Sequence, residues 1–233
     1  MPTIRCYLAV STVTLLATGC LRKEKIESCP GQCTVVSGRL LTSNQQALAN
    51  ASVSVSWILW GGVLGGGEVR TRGRTTTDAS GNFQFSFYVQ DDELHNGYFM
   101  VNHEVDKNQY YVLGDGDALF DIKRDTTYRL PPYLLPRKAA VKLTVPNSNQ
   151  IQGYFAVDFA SAYGRTLTFK KGAGGGPVFS VSQQSGSYTN TAEVAGDQKL
   201  YMQITRNTNG TATRTLDSLV VPAGTTRDII VRY

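Results

Sequence analysis

Thr75-Thr76-Thr77-Asp78-Ala79-Ser80-Gly81-Asn82-Phe83-Gln84-Phe85-Ser86-Phe87 is the stretch that decides the fold. Its three phenylalanines alternate with Gln84, Ser86 and, one residue on, Tyr88. Successive side chains of a strand point to opposite faces, so this run reads as a half-buried strand with its aromatic face toward a core. The same period of two recurs on both sides of it. Val53, Val55, Trp57 and Leu59 share one face, with Ser52, Ser54 and Ser56 opposite. Val141, Leu143 and Val145 repeat the pattern, as do Phe155, Val157 and Phe159, then Leu200, Met202 and Ile204, then Ile229, Val231 and Tyr233. No comparable helical period with caps occurs after the N-terminal segment. Short strands, frequent turns and no helices predict an all-β chain of two tandem antiparallel β-sandwiches.

The division falls near residue 136. Leu130-Pro131-Pro132-Tyr133-Leu134-Leu135-Pro136 holds three prolines, which cannot donate to a central ladder. This segment is therefore an edge, a crossover or a linker. Both halves end alike, in Asp125-Thr126-Thr127-Tyr128-Arg129-Leu130 and in Gly224-Thr225-Thr226-Arg227-Asp228-Ile229. The expected organisation is a signal peptide over 1–19, a lipidated tether over 20–33, one sandwich over 34–136 and a second over 137–233.

Part of the first unit resembles a family. Val36-Ser37-Gly38-Arg39-Leu40-Leu41, then Ala47 to Val55, then Thr75 to Phe85 follow the order of the carboxypeptidase regulatory-like, transthyretin-like sandwich domains of bacterial surface proteins. In that pattern Asp78 can close a turn with its side chain, Gly81 can supply a positive φ, and Phe83 and Phe85 fill the core. The resemblance spans roughly residues 35–90 and implies a scaffolding or binding module without catalysis. It departs near Ala47 and Asn50, where the family often has Pro or Gly.

The N-terminus gives an address. Arg5 precedes an apolar run from Tyr7 to Ala17, interrupted by Ser11, Thr12 and Thr14, the layout of a secretory signal. Leu16-Ala17-Thr18-Gly19-Cys20 resembles the lipobox of bacterial lipoproteins, with Ala17 where that family usually has Leu. The resemblance implies a diacylglycerol on Cys20 and cleavage before it. Leu21 is not the Asp of an inner-membrane retention signal, so the outer membrane is the expected site. Of the four cysteines, Cys6 leaves with the signal and Cys20 takes the lipid. Cys29 and Cys33, around Pro30-Gly31, are then free to form a local disulfide in an oxidising compartment. Their spacing is also that of a copper motif, but the helices that accompany it are missing here.

Composition narrows the function. Arg5 is the only charge in residues 1–19, so the remainder carries 22 basic and 18 acidic residues, scattered in short clusters. That is no nucleic-acid surface. Clusters such as Arg70/Arg72/Arg74 read as solvated turns and strand edges. The glycine-rich stretches at 61–67 and 172–176 lack the Gly-Lys-Ser/Thr of a phosphate loop and read as hairpin loops. Asp115 and Asp117, with Asp121 and Asp125, could supply oxygens to calcium but match no EF-hand spacing. His95 and His103 read as exposed loop residues, too few for a zinc hydrolase, and no Gly-x-Ser-x-Gly elbow is present. No cofactor is expected. Aromatics are the strongest binding signal: Trp57 reads as core, whereas Trp60 beside Gly61 breaks the strand phase and is the candidate ligand contact.

The expected function is a non-catalytic envelope lipoprotein serving as a structural or adhesive module, with glycan binding as the alternative. Labelling with a fatty-acid analogue should mark the wild-type protein, and Cys20→Ala should abolish the label. A freely soluble, unlabelled wild-type protein would refute the anchor.

Overall fold

The computed structural model describes residues 29, 31–61, 67–114, 116–167, 175–183, 186–208 and 210–233. The signal segment, Cys20 and Asp115 lie outside them, as do the centres of both glycine-rich stretches. The strands are β1 (Thr34–Thr42), β2 (Gln46–Ala47), β3 (Ser52–Leu59), β4 (Glu68–Thr76), β5 (Asn82–Phe87), β6 (Tyr98–Glu104), β7 (Gly116–Leu119), β8 (Thr127–Arg129), β9 (Tyr133–Leu134), β10 (Lys138–Val145), β11 (Tyr154–Ser161), β12 (Val178–Val181), β13 (Tyr188–Ala195), β14 (Lys199–Thr208), β15 (Thr211–Val220) and β16 (Thr226–Ile230). Among the described residues the helices are short 3-10 turns, and none is long and apolar enough to cross a membrane.

The strands form four sheets. β1 pairs with β2, β5, β8 and β9, and this sheet faces β4-β3-β6-β7. Between the two lies a core of Val36, Leu40, Val53, Val55, Trp57, Phe83, Phe85, Phe87, Phe99 and Val101, among others. In the second sandwich β13-β10-β16 faces β12-β11-β14-β15. Its core takes Val141, Leu143 and Val145 from one sheet and Phe155, Val157, Phe159, Leu200, Met202 and Ile204 from the other. The period of two thus settles which residues are buried, because each sheet packs on a partner through one face.

The pairing is not wholly antiparallel. β8 and β9 run parallel to β1, and β16 runs parallel to β10. In each sandwich the last strand therefore returns beside the first in the same direction. The two Thr-Thr segments occupy equivalent places, with Thr127 opposite Val35 and Thr226 opposite Ala140. A parallel pair needs a crossover rather than a tight turn, so strand spacing along the chain does not reveal it.

The turn before β5 is built as its residues require. Asp78 Oδ1 accepts backbone N–H bonds from Ser80 and Asn82, each 2.8 Å. Gly81 sits at φ +79, where an added Cβ would lie 2.3 Å from the Leu40 carbonyl oxygen. These bonds favour the Asp78 carboxylate and hold it below the usual carboxylate range.

The proline segment is more than a linker. β9 pairs with β1 through Leu40–Tyr133 and Leu41–Leu134, and Leu134 and Leu135 are each 1% exposed. Leu134 also exchanges backbone hydrogen bonds of 2.7 and 2.9 Å with Gly164 of the second sandwich. Ser43 Oγ donates to the Gly196 carbonyl at 2.8 Å and accepts from the Arg137 N–H at 2.9 Å. Cys29 and Cys33 are joined by a disulfide just before β1.

β15 lies at the edge of its sheet, and residues 211–218 are exposed on both faces. Among the described residues the facing sheet has three strands against four.

Phe85 is 4% exposed and its neighbour Gln84 points to solvent. Phe85→Ala should cost about 3–5 kcal/mol of unfolding free energy, because it removes core contacts and leaves a cavity. Gln84→Ala should cost under about 1 kcal/mol. Denaturant titration of the two variants checks the strand phase, and a larger loss for Gln84→Ala would invert it.

Candidate functional site

The register of β4-β3-β6-β7 sets an apolar row across its outer face. Ile58 lies opposite Val69 on one side and Tyr98 on the other. Phe99 lies opposite Leu119, so Phe120 follows beside Tyr98, with the two rings 5.5 Å apart. Trp57 and Phe99, one residue out of phase, are each 1% exposed and point into the core. The row therefore points outward. Val69 is 58% exposed, Phe120 67% and Trp60, just past the end of β3, 81%, while Ile58 and Tyr98 are half-buried. Monomer surfaces carry single apolar residues routinely, whereas five in a row at one end of one sheet form a contiguous apolar patch, the candidate contact surface.

Away from the row the same face turns polar. Thr71, Ser56, Met100 and Ala118 form the next rank, followed by Arg74, Ser54, Asn102 and Gly116. Ser52 Oγ donates to Glu104 Oε2 at 3.1 Å. Ser54 and Ser56 are buried although they lie on the outward phase.

The row rests on a cradle of ion pairs. Register shifts between Val55 and Ser56, so that Gly73 and Thr71 are opposite them and Arg72 is the extra residue of a bulge. Arg72, expected on a solvated edge, is 7% exposed, and its Nε donates to Glu93 Oε1 at 2.8 Å. Glu93 also accepts the Gln90 N–H. Arg70 places its guanidinium 4.6 Å from the Trp57 ring centroid and pairs with Glu68 at 2.6 Å and Asp92 at 2.7 Å. Its hydrogen bonds hold both carboxyls below the ordinary range. The Trp57 indole N–H donates to the Asn96 carbonyl at 2.8 Å. Gly97, at φ +74, packs where a Cβ would meet the Ile58 carbonyl at 2.4 Å. The loop over 90–97 is thereby fixed under the end of β3.

A second cluster lies at the opposite end, beside the second sandwich. His103 is corrected from an exposed loop residue to a strand residue on the inward phase of Phe99 and Val101. Its ring is 4.3 Å from that of Tyr133 and 6.4 Å from Phe83. Tyr163 packs edge-on against both Tyr133 and Tyr111, and its hydroxyl accepts the Leu113 N–H at 2.8 Å. Asp117 points inward and pairs with Arg165 at 2.9 Å, while burial raises its pKa. Asp117 is thus engaged across the junction. The described residues hold no group of three His, Cys, Asp or Glu suited to a metal. His95 is exposed in a turn. Tyr111 and Tyr133 are buried against this cluster, and burial pushes Tyr111 up to about 12. A cleft of about 300 Å³ opens at the same junction, lined by Asn44, Gln45, Leu134, Ala162, Gln198 and Tyr201, among others.

The outward row leaves no local mark in the sequence, because it joins residues of β3, β4 and β6 with Phe120, just past β7. The single signal available was Trp60, out of phase beside glycine.

No family model matches the chain, and no curated protein matches it. Several solved structures are similar in part. The Bacillus anthracis TIE protein is 12% identical with a TM-score of 0.31, covering 86% of this chain and 34% of its own, so this chain spans about a third of that protein. The shaft pilin SpaA from Lactobacillus rhamnosus GG is 9% identical with a TM-score of 0.31, covering 86% and 97%. A streptococcal ancillary pilin is 11% identical with a TM-score of 0.34, covering 88% and 62%. At these TM-scores the superpositions are loose and establish no kinship.

Desolvation, with Arg165 nearby, lowers the His103 pKa from 6.5 to about 4. The unfolded chain takes up this proton near pH 6.5 and the folded chain only near pH 4. Stability present above pH 6.5 is therefore lost as pH falls toward 4, by about 2–3 kcal/mol. His103→Phe should flatten that part of the stability–pH curve. An unchanged slope would show that His103 does not carry it.

Proposed function

We propose that this chain is a non-catalytic envelope lipoprotein, anchored through Cys20 in the outer membrane, that works as a stiff structural or adhesive arm. Its units are 34–136 and 137–233. The observation that carries this reading is the junction between them. Backbone and hydroxyl hydrogen bonds through Ser43, Gln109, Leu113 and Leu134, the Asp117–Arg165 pair and the packed tyrosines Tyr111, Tyr133 and Tyr163 span it. Chain entry through Cys29–Cys33 is at the far end of β1 from this junction. An arm of this kind holds its second sandwich away from its tether. The resemblance of residues 35–90 to carboxypeptidase regulatory-like domains points the same way.

A second reading, a glycan-binding accessory lipoprotein, draws on the exposed Trp60. Aromatic faces on rigid sheets stack on sugars. Array binding lost on Trp60→Ala would favour it.

The arm is tested by pulsed electron resonance between spin labels at exposed positions Gln84 and Arg214, one on each sandwich. A single narrow distance distribution is expected. A broad one, as from two bodies swinging on a linker, would overturn the stiff arm.

A further inference from the structure

We propose that the outward row of Trp60, Ile58, Val69, Tyr98 and Phe120 is a lipid-facing surface that rests in the headgroup region of the bilayer. The inference rests on anchoring through Cys20. It adds an orientation and a second contact with the membrane.

The argument begins with where the chain enters. Thr34 lies opposite Phe87, and the Phe87 ring is 5.5 Å from Phe99, the neighbour of Tyr98. Thr34 Oγ1 donates to the Lys123 carbonyl at 3.1 Å, three residues past Phe120. Chain entry and the aromatic row therefore share one pole of the first sandwich. The second sandwich meets the other pole, at Ser43 and Leu134. Nine residues lead from Cys20 to Cys29. At ~3.3–3.6 Å per residue, the tether carries Cys29 no more than about 32 Å from Cys20, which bounds how far this pole can stand from the lipid.

The chemistry of the row fits that position. Tryptophan and tyrosine sit at membrane–water interfaces, where an apolar ring and a polar edge are both satisfied. Interfacial binding grows with the apolar area buried. Charge is not the driver. Arg70 is paired with Glu68 and Asp92, and Arg124 with Asp91. Asp121 and Asp125 flank Lys123 and Arg124 in the same loop. Contact should therefore form on zwitterionic lipid and depend little on salt.

The two tryptophans supply the probe, since Trp57 is 1% exposed and Trp60 is 81% exposed. Full-length protein purified from the envelope is reconstituted into phosphatidylcholine vesicles, with and without bromine on the upper acyl carbons. Trp60 emission should shift to the blue and be quenched about twofold by the brominated lipid. Trp60→Phe should leave only unquenched Trp57 emission, and Phe120→Ser should weaken the quenching of Trp60. Mass measurement of the same sample reads acylation separately. Acylated protein with unquenched Trp60 leaves the anchor standing and overturns the lipid-facing row. Unacylated protein overturns the anchor, and quenching still decides the row. Emission untouched by lipid but shifted by a soluble oligosaccharide overturns the proposal in favour of a sugar.

Discussion

The architecture of the first sandwich depends on β1. It is hydrogen-bonded to four other strands, β5 and β2 antiparallel and β8 and β9 parallel. Val36 and Leu40 are fully buried. Because β1 runs from the chain entry to the junction, one strand sets both poles of the unit. The loops at the entry pole support the aromatic row, and Ser43 at the other end ties the second sandwich in place. A slip of one residue in β1 would turn Val36 and Leu40 outward, so its register is held by the same hydrophobic burial that closes the core.

The ion-pair cradle shows how a polar group can serve an apolar site. Arg72 and Glu93 are both nearly inaccessible, and a buried pair of this kind is weak evidence for stability, since desolvation offsets the attraction. Its effect here is positional. The bulge turns Arg72 inward, Glu93 receives it, and the loop bearing Asn96 and Gly97 closes on Trp57. The end of β3 is thereby fixed, and Trp60 projects from a rigid support.

Much of the burial was legible in the sequence, because alternation is a local property. Phe83, Phe85 and Phe87, Val141 to Val145, and Phe155 to Phe159 needed only their neighbours to be placed. So did Asp78 and Gly81, whose turn is closed by bonds within five residues. What was not legible depends on partners distant in the chain. His103 reads as a loop residue from its chain neighbours alone, because it is the pairing of β6 with β3 that brings it against Tyr133. Arg72 looked like an edge charge, because a bulge leaves no mark in composition. The row required the alignment of Val69, Ile58, Tyr98 and Phe120 across four strands, and the parallel return of β8, β9 and β16 required two crossovers.

That parallel return has a mechanical meaning. β10 and β16 lie side by side and run the same way, through five residue pairs from Ala140–Thr226 to Thr144–Ile230. A pull between the start of β10 and the end of β16 slides one strand along the other. All of the ladder's hydrogen bonds then bear load together. In the β14–β15 hairpin, drawn apart from its open end, they would break one after another. Under tension the short ladder is the stronger fastening, and the longer hairpin would open first if it were gripped.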